Sequence, residues 1–156
     1  MILELLPEQF ASIGAFVAIL FAFLATIIAT NKLSDYLPKD AGRDFAHDGK
    51  KSAGKPRGAG IIFVFAFVVA ALLFMPMNAE LIIYLTLIVI SMMTGFLDDA
   101  SKSPWGEYKK GFLDLCVAAM VAVTFLKYNP NTVELAIFHV TFEIHPVIFA
   151  LLTVIL

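Results

Sequence analysis

Long apolar blocks separated by short polar segments form the pattern of this chain. A membrane span needs roughly 20 apolar residues, and four blocks meet or approach that length: Ile13–Thr30, Ala59–Met77, Leu81–Leu97 and Phe112–Leu126. A fifth block starts at Pro146. The pattern predicts an all-α polytopic membrane protein with four full transmembrane helices and the start of a fifth, in a single membrane domain over residues 1–156.

The fifth block, Pro146–Leu156, is too short to cross a bilayer. As a helix it would cover about 16 Å, roughly half of the hydrocarbon core. Peptide groups left unpaired in lipid are costly. We therefore expect the chain to be the N-terminal part of a longer protein, and a short re-entrant or interfacial segment is the alternative.

Between the fourth and fifth blocks the apolar pattern becomes partly alternating. Asn129-Pro130-Asn131 is a turn signal, and residues 132–144 are rich in β-branched and aromatic side chains. This stretch predicts a short β-hairpin on the extracytoplasmic side.

Composition and charge support the membrane assignment and give it a direction. Hydrophobic residues make up 60% of the chain and charged residues 15%, whereas soluble domains carry about 25% charged residues. Of the 11 Lys and Arg residues, seven lie between the first and second spans and three between the third and fourth. Because basic loops stay in the cytoplasm, we expect both loops there and the N-terminus outside. The one cysteine, Cys116, excludes an intrachain disulfide.

Two adjacent carboxylates end the third block, in the run Gly95-Phe96-Leu97-Asp98-Asp99-Ala100-Ser101-Lys102. A helix C-terminus disfavours anions, and two neighbouring acids repel each other. A divalent cation would offset both effects, and Mg²⁺ prefers carboxylate oxygens together with substrate phosphates. The alternative is a pair of solvated acids at the membrane boundary.

The loop before the second span, residues 47–60, combines four glycines with four basic residues. Glycines allow backbone N–H groups to approach an anion closely, and basic side chains add charge-assisted contacts. The loop therefore suits phosphate binding. A basic anchor for anionic lipid headgroups is the alternative. A further segment, residues 105–111, carries Lys109 and Lys110 and also fits an interfacial aromatic and basic belt.

Taken in order and on one face, these three polar segments resemble the polyprenyl-phosphate N-acetylhexosamine-1-phosphate transferase family. The matching features are the Lys- and Gly-rich loop, the Gly-Phe-Leu-Asp-Asp-x-x-Lys run and the Lys109-Lys110 pair. The loop departs from the family pattern Lys-x-Gly-Thr-Pro-Thr-Met-Gly-Gly, because Lys55 and Arg57 replace the two threonines. The family's later acidic motif and His-rich loop would lie beyond Leu156.

The resemblance implies transfer of a phospho-sugar from a UDP-activated donor to undecaprenyl phosphate, with release of UMP, at the bacterial cytoplasmic membrane. The expected donor is UDP-N-acetylmuramoyl-pentapeptide, and a related UDP-N-acetylhexosamine for another wall polymer is the alternative. Asp98 and Asp99 are then the expected catalytic and Mg²⁺-binding residues. The residues expected to contact substrate phosphates are Lys51, Lys55, Arg57, Lys102 and Lys110. The bilayer is an expected partner, a homodimer is also expected, and nucleic acid is not.

Two other classes of function stay open from the sequence. One is a transporter with the Asp pair as a cation site, although such sites lie near the bilayer midplane and this pair lies at the edge. The other is a non-catalytic membrane partner, if the native chain ends at Leu156.

Overall fold

A computed structural model describes residues 2, 7, 10–40, 53–101, 103, 105–135 and 140–155. In chain order the described helices and strands are α1 (Ala11–Leu33), α2 (Gly60–Phe74), α3 (Ala79–Ala100), α4 (Glu107–Tyr128), β1 (Thr132–Leu135), β2 (Val140–Glu143) and α5 (Pro146–Ile155), with one 3-10 turn at Ser34–Tyr36. Helices α1, α3 and α4 are long and apolar enough to cross a membrane. The predicted class of helical membrane protein is confirmed.

Helix α2 is shorter than the apolar block that predicted it. Its 15 residues cover about 22 Å at 1.5 Å per residue, against a hydrocarbon core of about 30 Å. It ends at Phe74 because Pro76 disfavours the helical conformation at Met75, which is extended with φ −80° and ψ 150°. Among the described residues there are thus three helices of spanning length and a shorter second one, where the sequence predicted four full spans.

Packing divides the chain into two compact units. The first contains Met1–Met77 and Met92–Trp105. In this unit α1 packs against α2, and the rings of Phe21 and Phe74 meet with centroids 5.7 Å apart. Buried positions recur every four residues along α2 and so form one stripe on its surface; they are Ile62, Ala66, Ala70 and Phe74. The alanines in this stripe allow the two helix backbones to approach closely.

The second unit contains Asn78–Ser91 and Gly106–Leu156. Here α4 packs against α5, with the rings of Phe125 and Phe149 stacked at a centroid distance of 5.3 Å. Helix α3 contributes one part to each unit, and the predicted single membrane domain stays a prediction.

The start of α3 and the end of α4 are joined by polar contacts in the second unit. The Asn78 side chain accepts a hydrogen bond from the Leu81 N–H at 2.7 Å, which satisfies one free amide of the first turn. The Asn129 side chain, just after α4, donates to the Glu80 carboxylate. These side chains hold the two helix ends together.

The strands β1 and β2 pair antiparallel, with Thr132 opposite Glu143, so the predicted hairpin is confirmed. Its base is closed by Asn131, because the Ile144 N–H donates to the Asn131 carbonyl at 3.0 Å and the Asn131 side chain donates to the Ile144 carbonyl. Asn131, which is part of the turn signal in the sequence, therefore also closes the hairpin in the structure.

Candidate functional site

The last turn of α3 presents its two carboxylates to different partners. Successive helical residues point about 100° apart, and this separates Asp98 from Asp99. One oxygen of Asp98, Oδ1, accepts a hydrogen bond from the backbone N–H of Trp105 at 2.7 Å. Oδ1 of Asp99 accepts one from Nη2 of Arg57 at 2.9 Å. Both carboxylates are therefore held by hydrogen bonds from outside the helix.

A tight turn after α3 brings Trp105 back to Asp98. The Ser101 N–H donates to the Asp98 carbonyl at 3.2 Å, and the Ser101 hydroxyl lies 2.7 Å from the same oxygen. Two contacts from one serine therefore satisfy a carbonyl at the helix end, where no intrahelical donor is present. The Trp105 N–H binds the side chain of the same aspartate at 2.7 Å.

The ion pair between Arg57 and Asp99 joins the basic loop to the acidic helix end. The two side chains are 36% and 33% exposed, so the pair lies at the surface of the first unit and is open to a soluble ligand. Only Nη2 of the guanidinium has a hydrogen-bond partner among the residues that the structure describes. Arg57 therefore keeps N–H groups that can bind a second anion while it holds Asp99.

A short antiparallel ribbon fixes the position of Arg57. It joins residues 38–40 to the segment just before α2. The Arg57 N–H donates to the Pro38 carbonyl at 2.7 Å, and the Asp40 N–H donates to the Lys55 carbonyl at 2.9 Å. The N–H of Arg57 is bonded to Pro38, and the carbonyl of Lys55 is bonded to Asp40. The arginine therefore reaches Asp99 from a defined direction.

Gly58 allows the basic loop to lie directly against α3. Its φ of +70° falls in the left-handed region, which residues with a Cβ rarely adopt. A Cβ at this position would lie 2.9 Å from Cδ2 of Phe96 and 3.7 Å from Oδ2 of Asp99. Both the backbone angle and the space therefore require glycine next to the arginine that binds Asp99.

The structure brings some of the predicted site residues together. Arg57 and Asp99 are in direct contact, and Asp98 lies beside Asp99 on the same helix end. Lys55 belongs to the ribbon that carries Arg57, and its side chain is exposed. The sequence predicted the basic loop and the Asp pair on one face, but it did not predict that Arg57 would pair with one of the acids.

The structure does not test the other predicted phosphate-binding residues at this contact. Lys110 lies in the first turn of α4 in the second unit, where its N–H donates to the Gly106 carbonyl at 3.3 Å. Lys51 and Lys102 lie outside the described residues.

The Asp pair provides a donor set of the kind that Mg²⁺ takes with a phosphorylated ligand. Magnesium is usually held by one or two carboxylates, and phosphates and water complete its octahedron. In the described part of the chain, no group of three or more His, Cys, Asp or Glu side chains could hold a metal without such help. Mg²⁺ binding by Asp98 and Asp99 together with substrate phosphates stays a prediction.

Two elements of this site were missed from the sequence. The close approach of Gly58 to Phe96 could have been suspected from the glycine-rich loop, because glycines before a helix often mark such contacts. The Trp105 N–H that binds Asp98 had no sequence signal, because every residue except proline carries a backbone N–H.

The fold and the site define a helical membrane protein with an acidic helix end contacted by a basic loop. Over 87 residues the sequence is 45% identical to the phospho-N-acetylmuramoyl-pentapeptide-transferase of Treponema pallidum strain Nichols, and equally to that of a second strain of Treponema pallidum subsp. pallidum. The match covers 56% of this chain but only 24% of each relative. No family model and no solved structure matches the chain. The resemblance predicted from the polar segments is therefore confirmed for part of the sequence.

Proposed function

We propose that this chain forms part of a membrane-embedded phosphoglycosyl transferase that moves a phospho-sugar from a UDP-activated donor to undecaprenyl phosphate. The observation that carries the proposal is the contact between Arg57 and Asp99. It joins a guanidinium, a group that suits phosphate binding, to a carboxylate of the Asp pair at the surface. The similarity to two phospho-N-acetylmuramoyl-pentapeptide-transferases supports the same class of reaction.

The reaction forms one phosphorus–oxygen bond and breaks another. An oxygen of the lipid phosphate attacks the β-phosphorus of the donor, which carries the sugar. The bond from that phosphorus to the bridging oxygen breaks, and UMP leaves with this oxygen. In the product a diphosphate joins the lipid to the sugar. We propose phospho-N-acetylmuramoyl-pentapeptide as the transferred group, and another N-acetylhexosamine phosphate is the second candidate.

Both reactants are anions, so the site must reduce their repulsion and orient them. Arg57 can bind a donor phosphate through its remaining N–H groups while Nη2 stays on Asp99. Asp99 would then orient the guanidinium, and Asp98 would orient or deprotonate the lipid phosphate. Lys55 would add positive charge at the rim. Lys51, Lys102 and Lys110 stay predicted phosphate contacts.

Asp98 and Asp99 would hold Mg²⁺ together with substrate phosphates. When bound, this ion would neutralise phosphate charge and so lower the barrier to attack. We further propose that the site faces the cytoplasm from the bacterial cytoplasmic membrane, with the N-terminus outside, and that the protein is a homodimer. A lipid and a soluble substrate can meet only at such a membrane face.

The test is UMP release by the full-length protein that contains this chain, in lipid nanodiscs with UDP-N-acetylmuramoyl-pentapeptide, undecaprenyl phosphate and Mg²⁺. Asp99→Asn removes the charge that orients Arg57 but keeps the shape of the side chain. We expect UMP release to fall by at least about 100-fold, as for loss of a group that stabilises the transition state.

The matched control is Glu143→Gln, because this carboxylate is exposed and lies on β2 in the second unit. It makes the same change from carboxylate to amide outside the unit that holds the site and should leave the rate within about twofold, as expected for a surface substitution. Near-normal UMP release by Asp99→Asn, with the control also active, would exclude the proposed role of Asp99. No UMP release by the wild-type full-length protein that contains this chain would count against the function itself.

A further inference from the structure

The hairpin formed by β1 and β2 has two chemically different faces. Side chains alternate between the faces of a strand, and residues paired across the two strands share a face. One face carries hydroxyl and carboxylate side chains, namely Thr132, Glu134, Thr141 and Glu143. The opposite face carries Val133, Val140 and Phe142. The hairpin is therefore amphipathic.

The apolar face of the hairpin is uncovered within the part of the chain that the structure describes. Phe142 is 46% exposed and Val140 is 41% exposed. Neither strand packs against any of the described helices. Apolar surface left in water is unfavourable in proportion to its area, so surroundings that accept apolar side chains would stabilise the hairpin.

The base of the hairpin lies next to a membrane boundary. Three residues separate β1 from α4, a helix long and apolar enough to cross a membrane, and two separate β2 from the apolar helix α5. The last turn of α4 contains Lys127, whose Nζ lies 5.1 Å from the centre of the Tyr128 ring. Aromatic and basic side chains of this kind are typical of the lipid–water interface. The hairpin therefore starts at the level of the lipid headgroups.

The size of the apolar face favours lipid over a protein partner. Two paired strands of four residues each give a face of about 13 Å by 10 Å, or roughly 130 Å². A stable protein–protein interface buries about 800 Å² on each partner, so this face would be a small part of one. A bilayer surface sets no such minimum, because each apolar side chain that enters it contributes separately.

The edges and charges of the hairpin limit how deeply it can enter the membrane. Among the described residues the sheet has two strands, so the outer edge of each strand has N–H and C=O groups without a strand partner. Such groups are costly in hydrocarbon but find donors and acceptors among headgroups and water. Glu134 and Glu143 lie on the face opposite Phe142 and can stay in water. These features favour a shallow, one-sided contact with lipid.

We propose that the apolar face of this hairpin rests on the bilayer surface at the C-terminal end of α4. Phe142 and Val140 enter the boundary between headgroups and acyl chains, and Glu134 and Glu143 face water. The hairpin then helps to hold the end of α4 at a fixed depth in the membrane. This role goes beyond the proposed reaction and does not depend on it.

The experiment measures the depth of single nitroxide labels by electron paramagnetic resonance, in the full-length protein that contains this chain, in phosphatidylcholine nanodiscs. Native cysteines, including Cys116, are first replaced by serine. One variant carries the label at Phe142→Cys, and the matched control carries it at Thr141→Cys, the preceding residue of β2 on the polar face. Both positions are exposed, so neither label displaces a packed side chain.

Collisions with oxygen, which concentrates in lipid, and with a water-soluble nickel chelate report the surroundings of each label. At residue 142 we expect high oxygen and low nickel accessibility, with the label about 5–10 Å into the boundary between headgroups and acyl chains. At residue 141 we expect the reverse. Because the two labels are one residue apart, opposite results would distinguish the two faces of the hairpin.

A charge placed on the apolar face tests the contact without a label at residue 142. With the label at Val140→Cys, Phe142→Asp should raise nickel accessibility to the level seen at residue 141, because an ionised carboxylate is strongly disfavoured outside water. Thr141→Asp adds the same charge to the polar face and should leave the label at residue 140 unchanged.

Opposite accessibilities at residues 141 and 142, together with the selective effect of Phe142→Asp, would support the proposal. High nickel accessibility at both residues would show that the hairpin stands in water and would overturn it. Low accessibility of residue 142 to both reagents would show that protein covers the apolar face, from a second copy or another segment of the protein, and would also overturn it. High oxygen accessibility at both residues, or equal effects of the two aspartate substitutions, would contradict a one-sided contact.

Discussion

Replacing Gly58 by alanine perturbs the contact between the basic loop and α3 in two separable ways. The first is backbone strain, because φ is +70° and the left-handed region costs a residue with a Cβ about 1–2 kcal/mol. The second is steric, because the new Cβ would lie 2.9 Å from Cδ2 of Phe96. The ring would have to rotate away at a cost of about 0.5–1.5 kcal/mol for a side chain displaced from its rotamer.

Gly54→Ala is the control that isolates the first effect. Gly54 also has a left-handed φ, +80°, but among the described residues a Cβ there would have no atom within 4 Å beyond its chain neighbours. Its substitution should therefore lower the free energy of unfolding by the strain of about 1–2 kcal/mol alone. Gly58→Ala should exceed this by about 0.5–1.5 kcal/mol, measured by denaturant titration in mixed micelles.

A double-mutant cycle tests the steric effect directly. In a Phe96→Leu background the ring edge is absent, so the added cost of Gly58→Ala should fall to that of Gly54→Ala. Only Gly58→Ala should also reduce UMP release, since it moves the loop that carries Arg57. Equal costs for the two glycine substitutions, or a cost at Gly58 that Phe96→Leu does not change, would refute this account of the contact.

Two further predictions concern polar contacts. Arg57→Lys keeps the charge but loses the planar guanidinium, so kcat/KM for the UDP-sugar should fall about tenfold or more. The free energy of unfolding should change by less than about 1 kcal/mol, as for an exposed ion pair. A normal kcat/KM would show that the guanidinium geometry is not used. Asn129→Ala should lower the free energy of unfolding by about 1–3 kcal/mol, because Glu80 loses a hydrogen bond to its charged group. In a Glu80→Gln background the effect should shrink, and an unchanged effect would exclude this bond as its cause.

Much of the fold follows from apolar periodicity and turn signals in the sequence. The hairpin predicted over residues 132–144 has its strands at Thr132–Leu135 and Val140–Glu143. The end of α2 is less obvious, because its apolar block continues to Met77. The extended backbone at Met75 shows that Pro76 decides the boundary. Greater weight on that proline would have predicted the shorter helix.

The sequence predicted which segments form the site but not which of their residues contact each other. The positive-inside pattern and the Asp pair placed the basic loop and the α3 end on one face. Several basic residues in that loop could have reached the acids. The choice of Arg57 depends on the ribbon to Pro38 and on the left-handed φ of Gly58. Both are backbone features, which charge and hydropathy patterns do not encode.

The ribbon at the base of the basic loop makes the position of Arg57 independent of the segment that the ribbon encloses. Its hydrogen bonds join residues 38–40 to the residues just before α2, so the ends of the enclosed segment stay together whatever lies between them. Doubling the length of such a closed segment costs only about 0.6 kcal/mol in chain entropy. Insertions and substitutions there should therefore leave Arg57 in contact with Asp99. Sequence change in this segment is compatible with an unchanged contact at the α3 end.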